Sequence, residues 1–466
     1  MTSAARILRG EGTIARQPFV IAGIVLGILK QSLDILLATV VFRHGGVAFN
    51  YWLPFDRLVA FTSLEPGEYK FLLAMVALAL PFIWAGVCLT LARLRDAALP
   101  AWLVLFFFLP IFNVLFFIFL CCTPSQEKPP HPLLAAPGPP RPQTLLDRMI
   151  PRSGAGSAFA GAMLALVIGL LLVLLSTSVL TTYGWGLFCG VPFMMGFLSV
   201  MIYCHHELRP GLSCMGVACL SPMLLGLALL VYAFEGVMCL LMAAPLALAL
   251  SVLGGGLAYS IQRWRGLPET AAAMMSLVLL VVPAGMALEH GVAPEPPTFA
   301  VTSSVEVDAP PEAVWPNVVA FAELPPPQEL LFRAGVAYPI RAEITGTGPG
   351  AIRHCVFSTG AFVEPIEVWD APRLLKFSVQ SNPAPLAEWT PYERVTPPHL
   401  RGFLVSRGGQ FHLTPLPGGR TLLEGTTWYR HSMWPAAYWR LWSDQIIHQI
   451  HLRVLHYIAT RSILPR

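Results

Sequence analysis

Up to about residue 293 the chain alternates long apolar runs with short polar breaks, and after Pro296 it changes to strand-like alternation of apolar and polar positions. Residues 158–180 carry no charge over the roughly 20 positions a helix needs to cross the hydrocarbon core of a bilayer. Comparable runs lie at 19–42, 71–92 and 99–122 in a first half, and at 184–204, 212–234, 236–260 and 271–289 after it. They predict membrane-spanning helices. Between the halves, residues 124–142 have Pro at eight of nineteen positions, and Asp147, Arg148 and Arg152 follow. That composition predicts a polar, semi-rigid linker. The expected organisation is an N-terminal membrane domain over 1–123, a linker over 124–156, a five-span membrane domain over 157–293 and a soluble domain over 298–466.

In the soluble part, residues 301–308 alternate as a strand does, and Pro310 and Pro311 open a helix running through Trp315, since proline suits the first helical turn. Further strands are expected at 336–346, 350–359, 361–370, 373–381, 402–414 and 420–430, the last two joined at Pro417-Gly418-Gly419. A long amphipathic helix is expected over 434–462, with Trp439, Trp442, Ile446, Ile450, Val454 and Ile458 as its apolar stripe. That stripe turns His448 and His451 away from the sheet, because each residue advances about 100° around the helix.

Lys and Arg collect beside the cytoplasmic ends of spans. In the second half Arg148 and Arg152, then Arg209, then Arg263 and Arg265 occupy alternate loops, while Thr181 to Tyr183 and the turn near Glu235 have neither. This predicts a cytoplasmic linker and, after five crossings, an external or periplasmic C-terminal domain. In the first half Arg6, Arg9, Arg16, Arg93 and Arg95 require that one segment does not cross. Pro110 and Asn113 interrupt 99–122, and proline removes a backbone donor. A re-entrant segment and a kinked full span both remain open there. The N-terminal run lacks a small-residue cleavage site and is expected to stay as the first span.

A charged fraction of 12% and a hydrophobic fraction of 55% agree with a membrane protein. The net charge of +4 calls for no nucleic acid. Eight of nine cysteines lie in or beside apolar runs and only Cys355 in the soluble part, so no disulfide framework is expected.

Two resemblances sharpen this picture. Arg93-Leu94-Arg95-Asp96-Ala97-Ala98-Leu99-Pro100-Ala101-Trp102, with the apolar run behind it, resembles the bacterial inner-membrane domain of unknown function numbered 805 over about residues 8–125. That family usually shows Arg-Arg-Leu-His-Asp here, where this chain has Ala92 and Arg95. It implies topology and a bacterial inner membrane, and no activity. Residues 299–462 resemble the START-like superfamily of polyketide cyclases and lipid-transfer proteins, on Val-Asp-Ala-Pro-Pro-Glu-Ala-Val-Trp at 307–315 and on the order of strands and closing helix. The resemblance implies a helix-grip fold, an antiparallel sheet wrapped around the long helix with an apolar cavity between them. The fold class expected is thus a multi-span α-helical membrane protein with a C-terminal α+β helix-grip domain.

Candidate chemistry is sparse. Within the membrane, Lys30 and Asp34 share a helix face, as a functional site or as a self-neutralising pin. Glu235 at a span boundary is either a cation or proton site or a wetted interfacial residue. His205-His206-Glu207 would diverge on a helix, so no metal site is expected there. In the soluble domain His354, Glu364, Glu367, Trp369, Trp389, Trp428 and Tyr429 are the candidate ligand-binding residues, with Arg353 beside them. No set of them forms an acid–base pair, so no catalytic residues, cofactor or metal are assigned. The expected partners are membrane lipid and a hydrophobic small molecule such as an isoprenoid, for sensing or transfer. A membrane-tethered cyclase or hydratase and a transporter gated by the soluble domain are the alternatives. Oligomeric state stays open.

Overall fold

The computed structural model describes residues 3–41, 66–108, 112–125, 145–264, 268–292, 295–390 and 397–463. Most of the expected linker and Pro110 lie outside these residues. The helices of the membrane part are α1 (Ser3–Leu8), α2 (Arg16–Leu36), α3 (Pro66–Asp96), α4 (Phe112–Cys122), α5 (Leu145–Met149), α6 (Gly154–Leu174), α7 (Val191–Tyr203), α8 (Gly211–Val231), α9 (Val237–Trp264) and α10 (Pro268–Val292). Among the described residues, seven helices are long and apolar enough to cross a membrane.

The segment 99–122 holds a 3₁₀ helix, Ala101–Phe108, followed by α4. Its two ends meet. Arg93, fully buried near the end of α3, donates from Nε to the Leu120 carbonyl at 3.2 Å, from Nη2 to the Thr123 carbonyl, and from Nη1 to Asp96 and Ser125. A 24-residue crossing helix would carry its far end roughly 36 Å away. The segment therefore turns back, and Arg93 satisfies carbonyls at the C-terminus of α4 that have no intrahelical partner. Its apolar face packs on Phe159 of α6, whose ring stacks on Phe119 at 4.1 Å.

The chain forms two compact units, Met1–Leu170, Pro192–Tyr232 and Leu248–Leu279 in the first, and Leu171–Val191, Ala233–Ala247 and Leu280–Arg466 in the second. In the first unit small residues allow close helix packing. A Cβ on Gly196 would come within 1.9 Å of the Ser251 carbonyl oxygen, and one on Gly254 within 2.0 Å of that of Phe193. Lys30 and Asp34 pair at 2.5 Å, with Asp34 buried. His205 and His206 lie in the turn after α7, not on a helix. Their rings do not diverge as expected. They meet edge to face, His205 Nε2 lying 3.0 Å from Asp147 and His206 Nε2 2.9 Å from the Ile150 carbonyl.

The second unit holds an antiparallel seven-stranded half-barrel. Its strands are β1 (Thr298–Val307), β2 (Pro339–Thr345), β3 (Ile352–Phe357), β4 (Gly360–Asp370), β5 (Leu374–Ser378), β6 (Leu404–Leu416) and β7 (Arg420–His431), in the order β1-β7-β6-β5-β4-β3-β2. Helices α11 (Pro311–Val319) and α12 (Leu330–Arg333) carry the chain from β1 at one edge to β2 at the other, and α13 (Ala436–Ile463) closes the grip. The expected strands are all present. Alternation brings Val301, Ser303 and Val307 of β1 inward.

The stripe on α13 is not the continuous one expected. Val454, Leu455 and Ile458 join the sheet core and Ile447 packs with Val301 and Tyr429. Trp439, Trp442 and Ile446 instead join a separate cluster with Phe188, Met242 and Ala243 from the span ends and with Leu386 and Leu400. The helix has two apolar partners along its length, so its sheet-facing side runs through 447, 451, 454 and 458.

Candidate ligand-binding cavity

Between the half-barrel and α13 lies a cavity of about 110 Å³. Its walls are mostly apolar, with Phe321, Phe357, Phe362, Phe377 and Phe411 on the α11 and sheet side and Ile447, Ile450 and Val454 on the helix side. One ion pair interrupts them. Arg353 on β3 and Glu364 on β4 are direct cross-strand neighbours on the inward face, 2% and 6% exposed. Arg353 Nη1 donates to Glu364, and Nε donates to the Val319 carbonyl at 3.2 Å. The guanidinium sits 5.5 to 5.6 Å from the ring centres of Phe321, Phe377 and Phe411, within cation–π range. Burial opposes the charge on Arg353, but Glu364 and Cys355 beside it outweigh that and hold its pKa above the ordinary value. Burial raises the Glu364 carboxyl, with Arg353 pulling the other way. Burial also pushes the neighbouring Cys355 thiol up to about 12, so it stays protonated and unreactive at neutral pH.

A second polar group lies on the helix wall. Here the structure corrects the expectation that His448 and His451 turn away from the sheet. Ser303 Oγ of β1 lies 2.7 Å from His448 Nδ1 and 3.1 Å from His451 Nδ1, and His451 Nε2 is 2.7 Å from Thr427 Oγ1 of β7. His451 falls on the 447–454–458 line described above and reaches the cavity. Burial, with His448 adding to it, lowers its pKa to about 4, so the imidazole is neutral at pH 7.

This has a measurable consequence. A histidine whose pKa falls from about 6.5 unfolded to about 4 folded binds fewer protons in the folded state over that interval. Its contribution to stability is therefore present above pH 6.5 and lost as pH falls toward 4, by at most about 1.4 kcal/mol per pH unit. Thermal unfolding of the detergent-solubilised full chain between pH 7 and 4 is expected to show this loss, and His451→Gln to flatten it. An unchanged slope in the variant would contradict the assignment.

The other sequence candidates are dispersed. Glu364 lines the cavity. His354 lies on the opposite face of β3 from Arg353 and Cys355, paired across the sheet with Glu343 and Val363. Glu367 is exposed and lies 3.4 Å from Lys376. Trp369 packs edge-on against Trp315 at 5.9 Å. Trp428 lies under the Lys376 ammonium. Tyr429 is fully buried and donates to Asp444 of α13 at 2.5 Å. Trp389 is 67% exposed, while its carbonyl accepts from the Val237 amide at 3.0 Å. Tyr429 and its neighbours build the grip, and the cavity's ionisable groups include Arg353, Glu364 and His451, beside the neutral polar Ser406, Gln410, Thr426 and Thr427. The signal for His451 was its place four residues after Ile447 and three before Val454.

Residues 7–131 match the family described as "Protein of unknown function (DUF805)". No curated protein matches the chain. Among solved structures, the chain is similar to a truncated norcoclaurine synthase from Thalictrum flavum, at 14% identity over 37% of this chain and 98% of that one, with a TM-score of 0.25. It is also similar to a protein from Nitrosospira multiformis, at 18% identity over 35% of this chain and 94% of that one, TM-score 0.24. An aromatase/cyclase from a Streptomyces species shares 15% identity over 36% of this chain and 94% of that one, TM-score 0.23. The strand order and the gripped helix themselves establish the architecture: a multi-pass membrane protein, matching the DUF805 model over residues 7–131, with a C-terminal helix-grip domain.

Proposed function

We propose that the helix-grip domain binds a hydrophobic small molecule, such as the end of a lipid or isoprenoid chain, for sensing or transfer at a bacterial inner membrane. The observation that carries this reading is the aromatic cavity with a charged guanidinium held at one wall. Aromatic and aliphatic area supplies affinity at roughly 25 cal/mol per Å², and a few placed polar groups orient the ligand. At about 110 Å³ the cavity is smaller than the roughly 300–1,000 Å³ of drug-sized sites, which suits a chain terminus better than a whole lipid. Arg353 gives preference to a ligand with a carbonyl, hydroxyl or carboxylate at that end. The enzyme alternative would rest on His451 with Thr427 and Ser303, because His354 does not face the cavity with Glu364.

The test is native mass spectrometry of the detergent-solubilised full chain. An adduct with the mass of a small apolar molecule, removed by a change in the cavity wall, is the expected result. An adduct that no such change removes would argue against the domain as the binding site.

The same reading places the domain outside the cytoplasm. Its compact unit includes the Arg-free stretches around Thr181 to Tyr183 and Glu235, while Arg93, Arg95, Arg148, Arg152, Arg209 and Arg263 all belong to the other unit. Reporters active on one side only, fused after Gln143 and after Arg466, are expected to give opposite signals. Matching signals would sink this orientation.

A further inference from the structure

Glu235, whose sequence position offered either a cation or proton site or a wetted interfacial residue, does not stand alone. It sits just before α9 with 14% of its side chain exposed, and three donors converge on it. Cys239 comes from the first turn of α9, and Glu388 and His399 from the loop between β5 and β6. One ligating atom from each of the four lies within 4.8 Å of every other. His399 Nε2 is 2.9 Å from Cys239 Sγ, and His399 Nδ1 is 3.5 Å from Glu235 Oε1. His399 is 8% exposed.

These groups are buried without being satisfied. Glu235 Oε2 and His399 Nδ1 have no hydrogen-bond partner among the described residues, while Glu388 has only the Cys239 thiol and the Met238 and Cys239 amides beside it. Buried polar atoms are nearly always paired, and two unpaired ones facing one point are a departure from that rule. Among the described residues, the basic side chain that faces Glu235 is His399 itself, at 3.5 Å. Burial and Glu388 raise the Glu235 pKa, and burial raises that of Glu388 against the pull of Cys239 and the backbone amides of Met238 and Cys239.

We propose that Glu235, Cys239, Glu388 and His399 form a four-ligand site for a borderline divalent metal ion, Zn²⁺ by its donor set. One thiolate, one imidazole and two carboxylates are each Zn²⁺ ligands, and four protein ligands match a closed structural site. Bonds of about 2.0–2.3 Å place tetrahedral donors roughly 3.3–3.8 Å apart, so donor atoms that lie within 4.8 Å of one another need to close by about 1.5 Å at most. The bound ion displaces the thiol proton to solvent, offsets two of the three negative charges its ligands then carry, and ties the start of α9 to the β5–β6 loop. That junction already carries the hydrogen bond from the Val237 amide to the Trp389 carbonyl and the cluster around Trp439, Met242 and Leu400.

The test uses the full chain purified in detergent without a polyhistidine tag. After dialysis against a chelator, titration with Zn²⁺ is expected to give about one ion per chain and to raise the unfolding midpoint with metal concentration, by mass action. X-ray absorption at the zinc edge should show one sulfur at about 2.3 Å with nitrogen or oxygen neighbours near 2.0–2.1 Å. Cys239→Ser should remove the sulfur shell, and Glu388→Gln should weaken binding by at least tenfold. The spectrum of the unaltered protein decides the matter even where a variant does not fold. No stoichiometric binding, or a shell without sulfur as Asp147, His205 and His206 would produce, overturns the proposal.

Discussion

Arg353→Met is expected to destabilise the helix-grip domain by about 3–5 kcal/mol, the cost of leaving one member of a buried ion pair without its partner. Glu364 stands 6% exposed against Arg353, so removal of the guanidinium strands a carboxylate among phenylalanines or forces it to take up a proton. The change also removes the cation held among Phe321, Phe377 and Phe411. For a domain of this size such a loss lowers the unfolding midpoint by on the order of 10 °C. The double variant Arg353→Met with Glu364→Leu should recover most of it, because replacing both ions by apolar groups of similar shape is often close to neutral. Tryptophan fluorescence of the full chain on heating, compared across the four members of the double-mutant cycle, isolates the coupling. A double variant no more stable than Arg353→Met would contradict the pairing. A single variant as stable as the unaltered chain would mean that the site is not desolvated.

The second large effect is expected at Gly425, an inward position on β7 opposite Phe411. A Cβ there meets Leu455 at 3.6 Å and Phe411 at 3.7 Å, ordinary contact distances. The same atom on Gly408 would come within 2.8 Å of the Phe377 carbonyl oxygen. Gly425→Val thus enters the cavity without moving the backbone, and valine favours a strand where glycine does not. With three carbon atoms added to a space of about 110 Å³, affinity for the apolar ligand should fall at least tenfold, or about 1.4 kcal/mol. Stability should stay within about 1 kcal/mol of the parent or rise. The readout is the adduct in the native mass spectrum and its loss from the variant. An adduct retained in Gly425→Val would put the ligand elsewhere in the chain.

The linear chain itself determined the elements of this protein. Period-two alternation marked all seven strands within a few residues, and apolar runs of about twenty marked the spans, because both signals are local and repeat along the backbone. The Lys30–Asp34 pair was legible for the same reason, since a spacing of four puts two side chains on one helix face. What only the tertiary structure decided were matters of direction and convergence. The pattern of residues 434–462 admits two apolar lines, one through Trp439, Trp442 and Ile446 and one through Ile447, Val454 and Ile458. Packing against the span ends took the first and the sheet took the second. That choice rotated His451 into the cavity. Whether residues 99–122 cross or return was likewise undecided by hydropathy, which reads apolar length and not path, until Arg93 was seen to hold the carbonyls of Leu120 and Thr123. Glu235 and His399 stand more than 160 residues apart, and no periodicity joins them. Their meeting with Cys239 and Glu388 follows from how the β5–β6 loop packs on the start of α9, a long-range contact whose partners leave no trace in local spacing.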